Sequence, residues 1–267
     1  MQYLFAALLL LARVAHAGPA WPDTAVRAGA GDYVAAPSFV ALAVAARLGT
    51  PPSPPTWTEA PQLDTALRDI FRAPTARGRQ QAKDVSDVLF YGFIGAPIAM
   101  DMAIALTLHK DSDLAWQILW MDLTTLSVAT ATSVPVLSSV GRDRPLVPEC
   151  DLDSSYSSLC DTPNAGRSFY SGHTSMAVAG AGMICVTHLS LDLLGGPWDA
   201  LTCGVATVAG VGTGFLRIRS DVHWTSDVLV GVGIGAVLGV GMPLLRLHGA
   251  RVQPAVSGQT VGLSTTF

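Results

Sequence analysis

Five long apolar segments dominate the chain, at about 85–108, 114–140, 173–194, 199–217 and 224–247. Each has helix length and none alternates with period two, so they read as helices and not as strands. The turns between them, His109 to Asp113 and Gly195 to Asp199, are short enough to force neighbouring helices antiparallel. Glycines four apart, at Gly231, Gly235 and Gly239 and again at Gly210 and Gly214, fall on single helix faces where backbones can approach closely. The expected fold is therefore all-α, an antiparallel bundle of five to six apolar helices embedded in a membrane. Composition supports it: half the residues are hydrophobic and 13% are charged, against about 25% charged in an ordinary soluble domain, and mean hydropathy is +0.42. A net charge of −4 offers no basic field for nucleic acid, which is excluded as a partner.

The ends divide the chain further. Residues Leu4 to Leu11 are apolar and Ala15-His16-Ala17 follows, so residues 1–17 read as a cleaved secretory signal. Residues 18–61 form an N-terminal segment that includes a weakly apolar stretch, Val34 to Leu48, not expected to span. It ends in a stiff Pro-rich linker, Thr50 to Pro55. The helical domain is expected over 62–248, opening with a short amphipathic helix from Asp64 to Arg72, and a tail follows over 249–267. Cys150 and Cys160 flank a polar loop with no third and fourth metal ligand beside them, which in an exported chain reads as a disulfide staple. Cys185 and Cys203 lie in apolar segments and read as small core residues.

Three polar clusters punctuate the bundle. The second apolar segment ends in Gly141-Arg142-Asp143-Arg144-Pro145, the third opens at Ser171-Gly172-His173, and Arg217, His223 and Asp227 surround the turn between the last two. Antiparallel alternation brings all three to one end. Each has a bland reading alone: arginines at a helix C-terminus, an N-cap serine, and an i, i+4 pair on a solvated face. Together they supply guanidinium groups, free N–H groups at a helix N-terminus and two imidazoles, one with a carboxylate a turn away. That set suits a phosphate, because arginine binds phosphoryl oxygens in a bidentate manner and a helix start adds backbone donors. A histidine fixed by a carboxylate can attack, and a second can protonate the leaving oxygen. The sequence has no HExxH and no Walker motif, so no metal and no cofactor is expected.

These residues resemble the superfamily of type 2 phosphatidic acid phosphatases and vanadium-dependent haloperoxidases, over roughly residues 85–247. Its pattern is Lys, six residues, Arg-Pro; then Pro-Ser-Gly-His; then Ser-Arg, five residues, His, three residues, Asp. Arg144-Pro145, Ser171-Gly172-His173, and Arg217, His223 and Asp227 match it, in order and spacing. The departures are Leu137 where the pattern has Lys, Tyr170 where it has Pro, and Leu216 where it has Ser. The resemblance implies that His223 attacks phosphorus, Asp227 orients it and His173 protonates the leaving group. Arg144, Arg217, Ser171 and Gly172 would bind the phosphoryl oxygens, with Arg142 expected to replace the charge absent at Leu137. His16, His109, His188 and His248 lack such company and read as surface or structural.

The function this implies is metal-independent removal of phosphate from a lipid phosphate or prenyl diphosphate through a phosphohistidine. Alternatives are a soluble periplasmic phosphomonoesterase, a vanadate-dependent haloperoxidase, or a weakened phosphate-binding relative. The expected place is a bacterial-type inner membrane with the site on the periplasmic side, or else the soluble periplasm. Two features favour the second: Lys and Arg crowd the catalytic side, against the positive-inside rule, and Asp101 and Asp122 interrupt apolar segments, which points to burial within protein.

Overall fold

The computed structural model describes residues 19–49, 56–156, 160, 165–249, 251–257 and 260–266. The expected signal at 1–17 and the Pro-rich residues 50–55 lie outside them. The helices are α1 (Ala30–Gly49), α2 (Gln62–Phe71), α3 (Ala76–Thr107), α4 (Ser112–Ser139), α5 (Gly172–Leu191), α6 (Pro197–Arg219) and α7 (Thr225–Leu247). A C-terminal antiparallel hairpin, β1 (Arg251–Ser257) and β2 (Thr260–Thr266), adds strands where the sequence reading had a plain tail.

The helix starts follow from local chemistry. The Thr75 hydroxyl accepts from Gly78 N–H to begin α3, and the Asp111 carboxylate accepts from Leu114 N–H to begin α4. Pro197 at the first position of α6 needs no hydrogen-bond partner for a missing N–H. Asp192, in the left-handed conformation with φ of 53°, ends α5.

Helix α5 is the axis of the bundle and packs against α3, α4, α6 and α7. It is apolar or small on every side, which is how a helix surrounded by others must read. The glycine spacing works as anticipated. A Cβ on Gly231, Gly235 or Gly239 of α7 would stand 2.8, 2.4 or 2.2 Å from the carbonyl oxygens of Ser171, Ser175 and Ala179 on α5. Gly210 of α6 meets the Ala177 carbonyl oxygen on the other flank, where a Cβ would come to 3.0 Å. Backbones this close bring Cα atoms of α5 and α6 within 4.3 Å at Cys185 and Cys203, and the two are disulfide-bonded. This corrects their expected role as plain core residues; the pairing depends on a helix crossing that sequence separation conceals.

The stretch from Val34 to Leu48 also differs from expectation. It lies within α1, a complete helix that packs along α4 through Ala35, Ala36, Phe39 and Ala43. Its first turn is tied to the end of α7 by Asp32 and Arg246, 2.7 Å apart. Past its other end, Thr56 and Trp57 donate N–H bonds to the Gly141 carbonyl at the opposite pole of the bundle. Among the described residues six helices therefore run pole to pole, and the start of α1 shares a pole with the end of α7.

Helices α1, α3, α5, α6 and α7 are long and apolar enough to cross a membrane. Their outward faces carry exposed Val40, Val44, Val88, Val208, Leu229 and Val237. Helix α4 is absent from that set because threonines and serines dilute it. Thr125, Thr130 and Thr132 turn their hydroxyls back onto the carbonyls of Met121, Leu126 and Val128, four residues earlier. Asp101 and Asp122 are completely buried, as their place in apolar segments implied. Asp101 meets His188 Nε2 at 3.2 Å, and His188 Nδ1 meets Asp199 at 2.6 Å, so His188 is a buried structural link between α3, α5 and α6. His109 binds the Leu193 carbonyl and His248 the Leu244 carbonyl, both away from the motif cluster; His16 lies outside the described residues.

Candidate active site

Antiparallel alternation gathers the three motif clusters at the pole where α4, α6 and the connecting loops end and α5 and α7 begin. The loops are knitted by backbone hydrogen bonds: Ser168 N–H to the Arg142 carbonyl (2.9 Å), Arg144 N–H to Ala165 (2.9 Å), and Ser171 N–H to Asp227 (3.2 Å). Cys150 and Cys160 are disulfide-bonded in the loop above, with Cα atoms 5.8 Å apart.

His223 sits in the turn before α7, nearly inaccessible to solvent. Its Nδ1–H donates to the Ser168 carbonyl at 2.8 Å, while Asp227 Oδ2 is 3.7 Å away. The direct orienting bond is thus made by a backbone carbonyl, with the carboxylate behind it. Asp227 in turn accepts from the Ser168 hydroxyl (2.5 Å) and from Trp224 N–H (3.0 Å), the latter closing a capping arrangement at the start of α7. With Nδ1 carrying the proton, Nε2 holds the free lone pair. Burial pushes the imidazole down to about 3; Asp227 opposes the shift and the cations Arg144 and Arg217 add to it. His223 is accordingly neutral at any ordinary pH.

The residues behind the turn hold it in place. Asp221 adopts the left-handed conformation, with φ of 63°, a position that costs a non-glycine residue energy unless it is held. Arg68 of α2 clamps its carboxylate through Nε and Nη2, both at 2.7 Å, and Tyr156 O–H donates at 2.8 Å. Asp64, also on α2, accepts from Ser226 N–H (2.8 Å) and the Ser226 hydroxyl (2.6 Å).

Two expected phosphate ligands have other engagements. Arg142 is 1% exposed. Its Nη1 binds Asp227 and, at 2.8 Å, the Ser226 hydroxyl; its Nη2 binds Asp64 at 2.7 Å; and its guanidinium lies 3.9 Å over the Trp57 ring. The structure engages Arg142 with Asp227 and Asp64. Two buried carboxylates draw the guanidinium inward, and charges inside protein pair before they face solvent. Ser171 is likewise enclosed. Its hydroxyl oxygen accepts from the Thr174 hydroxyl at 2.8 Å and caps α5, and its N–H is bound to the Asp227 carbonyl, so it shapes the helix start.

Of the remaining expected residues, Arg217 donates through Nη1 to Asp87 at 2.8 Å, while Gly172 and Arg144 make no ion pair among the described residues. Gly172 begins α5, where first-turn N–H groups have no acceptor within the helix, and a Cβ there would meet no atom within 4 Å. Arg144 and Arg217 stand near enough to perturb each other, and the buried Nε of each has no hydrogen-bond partner among the described residues. Burial, with Arg217 beside it, lowers Arg144 to about 9. A guanidinium stays protonated even so.

His173 Nε2 lies 3.1 Å from Asp87 Oδ1, and its ring stacks at 4.3 Å on Phe90. The sequence reading gave His173 no acidic partner; α3 supplies one across the bundle. Asp87 and Ser168 are thus the two site residues that motif reading missed. Ser168 sits three positions before Ser171, and only its double link to His223 and Asp227 reveals it. No sequence spacing relates Asp87 to His173.

Two imidazoles, two guanidinium groups with buried Nε atoms and a helix start thus gather at one pole of an all-α bundle. A family model described as the PAP2 superfamily matches residues 118–248, the span that holds every motif residue, in agreement with the resemblance read from the motifs. No curated protein and no solved structure matches the chain.

Proposed function

We propose that the protein removes phosphate from a lipid phosphate or prenyl diphosphate by way of a phosphohistidine on His223. The observation that carries this is the neutral His223, fixed through Nδ1 by the Ser168 carbonyl with Nε2 free, in a site where the buried Nε groups of Arg144 and Arg217 have no hydrogen-bond partner among the described residues. Nε2 attacks phosphorus, the bond from phosphorus to the leaving oxygen breaks, and His173 Nε2 gives that oxygen a proton. Water then attacks phosphorus, His173 takes its proton, and the phosphorus–nitrogen bond breaks to release phosphate. Arg144, Arg217 and the Gly172 N–H hold the equatorial oxygens, which gain charge in both transition states.

A lipid substrate is favoured by the exposed apolar side chains flanking the site: Val85 and Val88 on α3, Val211 and Phe215 on α6, and Leu229 on α7. An acyl or prenyl chain can lie along them while the headgroup enters the polar pole. The Cys150–Cys160 bond at this pole agrees with a periplasmic site in an inner membrane.

The test is phosphate release from purified protein across lipid and soluble phosphomonoesters and diphosphates, with and without a chelator. Release from lipid substrates that survives chelation, together with an acid-labile phosphoenzyme lost in His223→Ala, is expected. Phosphate trapped on His173, or halide oxidation dependent on vanadate without phosphate release, overturns the reading.

A further inference from the structure

Helix α3 carries none of the motifs, yet it places a carboxylate among the motif residues. Asp87 Oδ1 accepts from Arg217 Nη1 at 2.8 Å and lies 3.1 Å from His173 Nε2. Its other oxygen accepts from Lys83 Nζ at 2.7 Å, one helical turn earlier. An ammonium, a guanidinium and an imidazole, from α3, α6 and α5, therefore converge on one anion. Arg217 and His173 are also the groups that a phosphoryl oxygen and a leaving oxygen must reach, and two anions cannot hold the same donors. Lys83 and Asp87 keep contact with solvent whereas Arg217 is almost wholly buried. The carboxylate can swing outward on its helix face; the guanidinium is fixed.

Leu137 sets the other half of the argument. The position where the first motif has its lysine holds an apolar side chain, and Arg142, the nearest spare cation in sequence, is bound to Asp227 and Asp64. Beyond Arg144 and Arg217, Lys83 is the cation tied to this anion position, and its partner is the carboxylate that a substrate has to displace.

We propose that Asp87 is a resident stand-in for the phosphoryl group, and that Lys83 is the ligand the substrate inherits when it displaces Asp87 from Arg217 and His173. Lys83 then supplies from α3 the charge that Leu137 does not supply from α4. The proposal rests on the phosphoryl-binding reading of the site given above. It makes Asp87 a competitor of the substrate and Lys83 a ligand, although the two are salt-bridged neighbours.

Binding of inorganic phosphate to the full chain in detergent, followed by calorimetry, separates those roles without requiring turnover. Asp87→Asn keeps the shape and the hydrogen-bonding reach of the side chain but removes its charge, and should bind phosphate at least tenfold more tightly than the parent. Lys83→Met should bind it at least tenfold more weakly. Equal or weaker binding by Asp87→Asn makes Asp87 a positioning residue for His173 and overturns the proposal, as does unchanged binding by Lys83→Met. Should Asp87→Asn fail to fold, Lys83→Met decides alone, since its side chain is partly exposed. A parent that hydrolyses phosphoesters while both variants bind phosphate as it does refutes only this inference. A parent that binds phosphate but releases none from any ester refutes only the proposed hydrolase. Absence of phosphate binding in all three refutes both.

Discussion

Replacing Arg142 with methionine should unfold the site more than it should discharge it. The substitution keeps length and apolar stem but leaves Asp64 and Asp227 buried with no cation between them. Asp227 would retain the Ser168 hydroxyl at 2.5 Å and Trp224 N–H at 3.0 Å. Asp64 would retain two donors from Ser226, at 2.8 and 2.6 Å. Removing one member of a buried ion pair costs about 3–5 kcal/mol, and loss of the stacking on Trp57 adds about 1 kcal/mol. The four surviving hydrogen bonds to the carboxylates, from neutral donors, hold the expected total near the lower end, about 3 kcal/mol. Adding Asp64→Asn removes one of the two stranded charges and should recover about 1–2 kcal/mol, the size of coupling usual for residues in contact. Urea unfolding in detergent micelles, run as a double-mutant cycle, reads both quantities. Adding Leu137→Lys to Arg142→Met discriminates further, because a lysine at 137 can replace an anion ligand but cannot reach into the Asp64–Asp227 pair. No recovery of stability or turnover is expected. Parent-like stability of Arg142→Met, with turnover restored by Leu137→Lys, would refute the anchoring role and reinstate Arg142 as the substitute cation.

Three other substitutions have defined outcomes. His223 has a folded value of about 3 against about 6.5 in an unfolded chain. Its contribution is therefore flat above pH 6.5, and below it the unfolded chain alone takes up the proton. Stability should fall by up to about 1.4 kcal/mol per pH unit between 6.5 and 3, and His223→Asn should remove that part of the slope in unfolding measured from pH 7 to 4. Ser168→Ala removes the hydroxyl bound to Asp227 but keeps the carbonyl bound to His223, so it should lower kcat by about tenfold to a hundredfold with little change in KM; a parent-like kcat would show that Asp227 needs only Arg142. Replacing both Cys185 and Cys203 with alanine should lower stability by about 2–4 kcal/mol while leaving phosphate release per folded molecule unchanged, because the bond lies between α5 and α6 away from the motif pole.

What could be read in advance was whatever depends on local order. Helix positions, the antiparallel turns and the pole where motifs gather follow from period and spacing, and α3 to α7 stand close to where the apolar segments put them. The reading failed where a contact crosses the bundle. Arg142 and Arg144 are two residues apart and chemically alike, but one faces a pair of buried carboxylates and the other the Arg167 carbonyl; nothing in their neighbourhood along the chain distinguishes them. Asp87 pairs with a histidine 86 positions later on another helix. The stretch from Val34 to Leu48 is weakly apolar, yet it buries alanines and a phenylalanine against α4, where Thr125 and Thr130 bond their own backbone. Hydropathy alone could not rank those two helices.

The glycines of α7 have a mechanical consequence. His173 rides on α5 and Asp227 on α7, and the relative height of these two rods is set by contacts at Gly231, Gly235 and Gly239, where a hydrogen lies against a carbonyl oxygen. A slip of one turn along such a seam moves a side chain by about 5.4 Å, more than the length of any hydrogen bond in the site. His173 and Asp227 are thus gauged against each other from within the apolar interior, up to three turns away from the polar pole. Selection on those positions would act through alignment, and a methyl group added deep in the bundle would be felt at its polar end as a misplaced proton.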